Sequence, residues 1–248
     1  MKRLLSRAWK AKKEKGIGHV VRSGMDILSY RVNLNSRYWY HRLLLSPRVF
    51  TFRGSRYHYF SQRYNTTWRN ERAVEVPIIR KVLEEHRGRN ILEVGNVISH
   101  YYSVKHDIVD KYEASSRVIN QDIVDFRPSK KYDLIVSIST MEHVGWDEDP
   151  LDQSKILGEP VKILQSLDNL QECLAPGGMI IITIPVGYNP QLDKSLAEGR
   201  IGFSERFCLK RVARNKWVEA AWADCREAKY GAPYTAANAI VILFISKR

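Results

Sequence analysis

The chain has 248 residues, of which 44% are hydrophobic and 27% charged, and its longest apolar runs are far shorter than the roughly 20 residues that span a bilayer. These values predict one large domain with a buried core and exclude a membrane-spanning protein. The basic first 16 residues are not followed by an apolar segment, so they do not predict a signal peptide. The three cysteines form no CxxC pair, which fits a reducing cytoplasm and gives no support for a metal site.

The net charge of +13 lies entirely in the first quarter of the chain. Residues 1–63 hold 15 lysines and arginines against two acidic residues, whereas residues 64–248 hold 25 of each. The same segment is rich in aromatic residues, including the run Tyr38-Trp39-Tyr40. We therefore predict a basic, aromatic-rich, helical extension over residues 1–63 and a globular domain over residues 64–248.

Three interpretations of the basic extension stay open. It could pack on the core with its charges in solvent. It could lie on an anionic membrane or contact a lipid-linked substrate, which would place the protein in the cytoplasm and at the membrane periphery. Interleaved basic and aromatic residues also suit RNA, but nucleic acid is the least favoured partner.

Residues 63–78, RYNTTWRNERAVEVPI, are dense in hydrogen-bonding and aromatic groups. Such a composition suits sugar recognition, a lid over a ligand, or a capped linker. Pro77 suits the first position of a helix, and Gly88 suits its end, so we predict a helix between them.

Beyond Gly88, short apolar runs alternate with helical patterns. Strands are predicted at 90–94, 106–112, 117–122, 132–140 and 179–186, with an amphipathic helix from 161 to 174. The segments 216–224 and 239–247 are predicted to pair as a closing hairpin. This alternation predicts an α/β fold with an open, doubly wound, mostly parallel sheet.

Acidic residues lie at the carboxyl ends of the first three of these strands, at Glu93, Asp110 and Asp122. Ligands of open α/β sheets bind at the carboxyl ends of the strands, where a carboxylate can accept hydrogen bonds from ribose or from an adenine amino group. Asn96 stands where a second glycine would follow Gly95. Because Asn tolerates positive φ better than most residues, we predict that Asn96 makes the same turn.

In this order, the segments ILEVGN, HDIVD, NQDIVDF, KYDLIVSISTMEHV and LQECLAPGGMIIITIP resemble the class I S-adenosylmethionine-dependent methyltransferases, in particular the type 11 methyltransferase domain. The resemblance covers about two thirds of the chain and leaves out the basic extension. It implies a Rossmann-like fold with a terminal antiparallel strand, an enzyme, and S-adenosyl-L-methionine as the cofactor.

The resemblance also implies roles for residues at the strand ends. Ser139, Thr140 and Glu142 would close the pocket beneath the transferred methyl group, and Glu113 and Asp125 are rivals of the neighbouring acids for ribose and adenine. The residues assigned to the cofactor are Glu93, Gly95, Asn96, Asp110, Asp122, Ile123, Ser139 and Glu142.

On the acceptor side, His143 is the candidate general base, with His100 a weaker one. Tyr101, Tyr188 and Asn189 are candidate substrate contacts.

Three functions remain. The first is a methyltransferase acting on a saccharide, a lipid-linked glycan or a related small acceptor. The second is an RNA methyltransferase that uses the basic extension, although no base-methylating motif follows the fourth strand. The third is a degenerate domain that serves as a scaffold, and it is motivated only by the altered glycine loop.

Overall fold

The computed structural model describes residues 29, 32, 35–45, 48–146 and 161–247. The chain forms two compact units, Met1–Leu45 and Ser46–Arg248. In the first unit, residues 35–40 are helical and continue into a π-helical turn at His41–Leu45. Much of the predicted basic extension, residues 1–28, lies outside the described residues. The division falls before the predicted boundary at residue 63, because residues 46–63 belong to the second unit.

The second unit begins with a hairpin of β1, Val49–Phe52, and β2, Ser55–His58. Phe50 and Phe52 are buried on the hairpin and join the hydrophobic core. This burial explains why the aromatic residues after position 45 belong to the globular unit and not to the extension.

Helix α1, Arg72–Glu85, follows a 3-10 helix at Tyr64–Arg69. The predicted start at Pro77 is therefore wrong, since Pro77 lies inside α1. Proline cannot donate to the carbonyl four residues earlier, which belongs to Ala73. That carbonyl accepts a hydrogen bond from the Phe60 N–H at 2.9 Å instead, so the helix tolerates the proline.

The main sheet has eight strands, β3 Ile91–Val94, β4 Asp107–Val109, β5 Val118–Ile119, β6 Tyr132–Ile138, β7 Leu174–Pro185, β8 Glu205–Ala213, β9 Lys216–Ala220 and β10 Ala239–Ser246. Their order across the sheet is β5-β4-β3-β6-β7-β10-β8-β9. Strands β3 to β7 are parallel, and β10 is antiparallel to both β7 and β8. The later helices are α2 Val161–Cys173, α3 Pro190–Ala197 and the short α4 Trp222–Cys225.

The structure confirms the open, mostly parallel α/β sheet and corrects its closing edge. The predicted hairpin of 216–224 with 239–247 does not form, because β8 lies between β9 and β10. Strand β8 has the sequence ERFCLKRVA, whose four charged residues interrupt the apolar run by which a buried strand is predicted. Strand β10 is buried along nearly its whole length and fits between two neighbours.

The core has one layer on each face of the sheet. Along β10, Val241 and Leu243 pack into one cluster, whereas Ile240 and Ile242 pack into the other. Alternate residues of a strand point to opposite faces, so an almost continuous apolar run supplies both layers. None of the described helices is both long enough and apolar enough to cross a membrane.

Candidate functional site

A cavity of about 400 Å³ opens at the carboxyl ends of β3, β4 and β6. The strand order reverses between β3 and β6, and open α/β sheets bind ligands at such a switch point. The lining includes six residues expected from the sequence, namely Gly95, Asp110, Asp122, Ile123, Thr140 and His143. The other lining residues are Val94, Val109, Lys111, Tyr112, Gln121 and Val144.

Gly95 makes the turn that leaves β3. Its φ is +82°, a region that favours glycine, and a Cβ added there would lie 2.2 Å from Thr140 Oγ1. The backbone at Gly95 and the side chain of Thr140, the second residue after β6, therefore approach each other closely at the cavity wall.

Asn96 does not replace a glycine in the expected way, since its φ is not positive. Its N–H donates to Asp110 Oδ2 at 3.1 Å, and its side-chain amide donates to Glu113 Oε1 at 2.7 Å. Its side-chain oxygen, Oδ1, accepts from Ser99 Oγ. Asn96 thus ties the loop after β3 to the loop after β4, and it is not one of the residues that line the cavity.

Glu93 is also absent from the cavity wall, because its fully buried carboxylate faces the protein. Oε1 accepts from the Val97 and Ile98 N–H groups at 2.8 and 2.7 Å, and Oε2 lies 2.7 Å from His106 Nε2. These bonds hold a single 3-10 turn, Ile98–His100, where a longer helix would follow in a doubly wound sheet. The role of Glu93 is therefore to fix the conformation of the loop after β3 through hydrogen bonds.

Asp110 both lines the cavity and holds its own loop. Oδ1 accepts from the Tyr112 and Glu113 N–H groups at 2.8 and 2.9 Å, and Oδ2 accepts from Asn96 N. A carboxylate has about four acceptor positions, so one stays available for a hydroxyl donor. The rival acid, Glu113, is paired with the Asn96 amide and, at 3.2 Å, with His100 Nε2.

Asp122 lies at the other side of the cavity and is paired with two lysines. Its Oδ2 is 3.0 Å from both Lys111 Nζ and Lys162 Nζ, and its Oδ1 accepts from Val124 N at 3.1 Å. Partial burial raises the pKa of Asp122, but the bonds from Lys111, Val124 and Lys162 outweigh it, so the pKa lies below its usual value. Asp122 is therefore an anion at neutral pH.

Ser139 is buried and turns away from the cavity lining. Its Oγ donates to Glu75 Oε1 at 2.6 Å, and Thr183 Oγ1 donates to the same oxygen at 2.7 Å. The other Glu75 oxygen pairs with Arg72 Nη1 at 2.6 Å. This cluster joins α1 to the ends of β6 and β7, and Glu71 beside it accepts from Ala237 N at 3.0 Å.

Glu142 adds a third buried carboxyl group near this cluster. Its Oε2 has no hydrogen-bond partner among the described residues. Burial raises the pKa of Glu142 well above its usual value, against the opposing effects of its own backbone N–H and the Arg72 guanidinium. The other oxygen, Oε1, lies 3.6 Å from Nε2 of His143, which lines the cavity.

His143 connects the buried carboxyl group to the cavity wall and to two tyrosines. Its ring centroid is 4.8 Å from that of Tyr188, which in turn lies 5.0 Å from that of Tyr230. Burial and the nearby Glu71 and Glu142 raise the pKa of Tyr230 to about 12. His143 therefore links the cavity wall to a pair of tyrosines and to the buried Glu142.

Asn189 and Tyr101, both expected on the substrate side, have structural partners. The Asn189 side chain caps α3 by accepting from Gln191 N and Leu192 N at 3.0 and 3.1 Å, and it donates to Glu142 O at 2.8 Å. Asn189 thus fixes the backbone of Glu142. Tyr101 makes an edge contact with Tyr64 at 5.7 Å.

Three lining residues, Lys111, Tyr112 and Gln121, were not found from the sequence. Each lies within two residues of a strand-end acid, which is the signal that could have found them. Tyr112 borders the cavity and is 70% exposed, and Lys111 Nζ lies 5.4 Å from its ring centroid.

No family model matches the sequence, and a search of curated proteins finds no match. Among solved structures, the N-methyltransferase NodS from Bradyrhizobium japonicum WM9, in complex with S-adenosyl-L-homocysteine, is 13% identical with a TM-score of 0.43. The match covers 71% of this chain and 87% of that one. The glycopeptide N-methyltransferase MtfA is 11% identical with a TM-score of 0.36, over 67% and 87%. A methyltransferase from Clostridium acetobutylicum is 13% identical with a TM-score of 0.33, over 68% and 88%.

The strand order, and not these distant likenesses, decides the fold. Five parallel strands follow the order β5-β4-β3-β6-β7, and the last strand, β10, inserts antiparallel between β7 and β8. The chain has the class I methyltransferase fold. The expected Rossmann-like sheet with a terminal antiparallel strand is confirmed, and β9 adds one further strand to the methyltransferase sheet at its edge.

Proposed function

We propose that the protein is a methyltransferase that uses S-adenosyl-L-methionine. The observation that carries this proposal is the cavity at the switch point, where Asp110, Tyr112, Asp122 and Ile123 surround a space of about 400 Å³. Ligand pockets of this kind usually measure roughly 300–1,000 Å³, so a nucleoside-sized group fits.

The lining chemistry suits an adenosine. Asp110 keeps an acceptor position for a ribose hydroxyl, the apolar Val109 and Ile123 suit the faces of a base, and Tyr112 can stack on it. Gly95 allows the backbone to approach without a side chain in the way. When bound, the cofactor supplies an electrophilic methyl group. The chain's own residues then have to orient the acceptor and take up its proton.

His143 is placed to handle that proton, because it lines the cavity and lies 3.6 Å from the buried Glu142 carboxyl group. A neutral imidazole accepts the proton of an attacking hydroxyl or amine. Tyr188 restricts the His143 ring from one side. We therefore propose His143 as the general base.

For the acceptor, the proposal is a saccharide, a lipid-linked glycan or a related small molecule. Tyrosines 188 and 230 offer flat apolar faces with polar edges, and such faces suit a sugar ring. RNA is the less favoured acceptor, because no base-methylating motif follows β6.

Titration calorimetry tests the proposal and separates it from a scaffold role. The full-length protein is titrated with S-adenosyl-L-methionine, S-adenosyl-L-homocysteine and NAD. Saturable binding of the first two and none of NAD is expected, because the cavity has no loop of closely spaced glycines for a pyrophosphate. If none of the three binds, the scaffold interpretation replaces the enzymatic one.

A further inference from the structure

We propose that the helical residues 35–45 bind the surface of an anionic membrane, with Trp39, Tyr40 and Leu43 inserted among the lipids. This segment is called the aromatic segment below. The inference concerns where the protein works and is independent of the proposed chemistry.

The aromatic segment exposes large apolar side chains. Trp39 is 49% exposed, Tyr40 55% and Leu43 65%. Trp39 and Leu43 are four residues apart, and this spacing puts two side chains on the same face of a helix. Of the ten large hydrophobic side chains that are exposed among the described residues, these three and Val32 belong to the first compact unit.

Charge favours an anionic partner. Residues 35–45, NSRYWYHRLLL, contain Arg37 and Arg42 and no acidic residue. Residues 1–63 as a whole carry the entire +13, whereas the rest of the chain is neutral. An anionic leaflet attracts a basic segment, and each Lys or Arg held near the leaflet adds to the attraction.

The combination of side chains fits a lipid interface better than the alternatives. Trp and Tyr prefer the region between headgroups and acyl chains, and Leu enters the acyl boundary. RNA would use the aromatic rings and the arginines but leaves no role for the exposed Leu43. A second copy of the chain would bring two segments of strong positive charge together, which opposes association.

Vesicle sedimentation of the full-length protein provides the test. Vesicles of phosphatidylcholine alone are compared with vesicles of phosphatidylcholine and phosphatidylglycerol in equal parts. The wild type is expected to sediment with the anionic vesicles and to remain in solution with the neutral ones. The double variant Trp39→Ser/Leu43→Ser should bind the anionic vesicles about tenfold more weakly, since two apolar side chains no longer insert.

The matched control is Phe203→Ser/Val212→Ser, which removes two exposed apolar side chains from the second compact unit. It should bind vesicles like the wild type. Equal thermal unfolding of all three proteins shows that the substitutions leave the fold intact.

Several results would overturn the proposal. One is the absence of sedimentation with anionic vesicles, and another is wild-type sedimentation of the Trp39→Ser/Leu43→Ser variant. A third result is that a single-stranded RNA oligonucleotide binds the wild type, binds that variant more weakly and displaces the wild type from vesicles. Conversion of a dimer to a monomer by the same variant, with vesicle binding unchanged, would assign the segment to self-association.

Discussion

At Gly95 the backbone has a φ of +82°, and an added Cβ would lie 2.2 Å from Thr140 Oγ1. Gly88 offers a matched comparison, because its φ is +85° and no atom lies within 4 Å of an added Cβ. Both Gly→Ala variants should lose about 1–2 kcal/mol to the left-handed backbone. Gly95→Ala should lose about 1–3 kcal/mol more to the clash.

Urea unfolding measures both free energies, and calorimetry with S-adenosyl-L-homocysteine measures the effect on the cavity. We expect Gly95→Ala to weaken binding and Gly88→Ala to leave it unchanged. Equal unfolding free energies for the two variants would contradict the close approach of the β3 loop to Thr140.

The site residues differ in whether their roles could be predicted from the sequence. Gly95, Asp110 and Asp122 could be predicted because they follow apolar strands and because strand ends meet at one edge. The roles of Asn96 and Glu93 could not, since they depend on hydrogen bonds to Glu113 and His106, more than ten residues away. A strand-end pattern gives the position of a residue and not the direction of its side chain.

Among the elements, helix α3 carries a partly buried acid whose ionisation should oppose folding. Burial raises the pKa of Asp193 to about 6, against the opposing effect of the hydrogen bond from Gly187 N. In the unfolded chain Asp193 has its usual pKa near 4, so between about pH 4 and pH 6 the unfolded chain releases a proton that the folded state keeps. Stability is lost as the pH rises from about 4 to about 6, and it stays lower above that range.

Asp193→Asn removes this penalty and keeps an acceptor for Gly187 N. Relative to the wild type, the variant should gain about 1–3 kcal/mol of unfolding free energy at pH 7.5 and little at pH 4.5. Urea unfolding at the two pH values measures the difference, with the exposed Asp168→Asn as the control. A gain that is the same at both pH values would rule out the raised pKa as its cause.

Elements differed in how well the sequence predicted them. The apolar strands β3, β6, β7 and β10 are confirmed because burial on both faces leaves a continuous hydrophobic run. Strand β8 escaped detection since its charges, Arg206 and Lys210 among them, break that run. The start of α1 was misplaced because Pro77 is accommodated by a long-range bond from Phe60 N.

On the scale of the whole molecule, the fold class followed from the sequence, whereas the division into units did not. The alternation of strands and helices is a local pattern, so it can be predicted from the sequence without knowledge of tertiary contacts. The boundary at Leu45 depends on the packing of Phe50 and Phe52 into the core. Charge counts alone placed these aromatic residues in the basic extension.

The central claim is that the cofactor's adenosine occupies the cavity at the ends of β3, β4 and β6. The affinity of S-adenosyl-L-homocysteine for Tyr112→Ala tests it most directly, with Tyr64→Ala as the control, because both tyrosines are exposed and only Tyr112 lines the cavity. Loss of a base-stacking ring should weaken binding about tenfold or more in Tyr112→Ala. Tyr64→Ala should bind like the wild type. Unchanged affinity in Tyr112→Ala, with wild-type binding intact, would mean that the adenosine lies elsewhere.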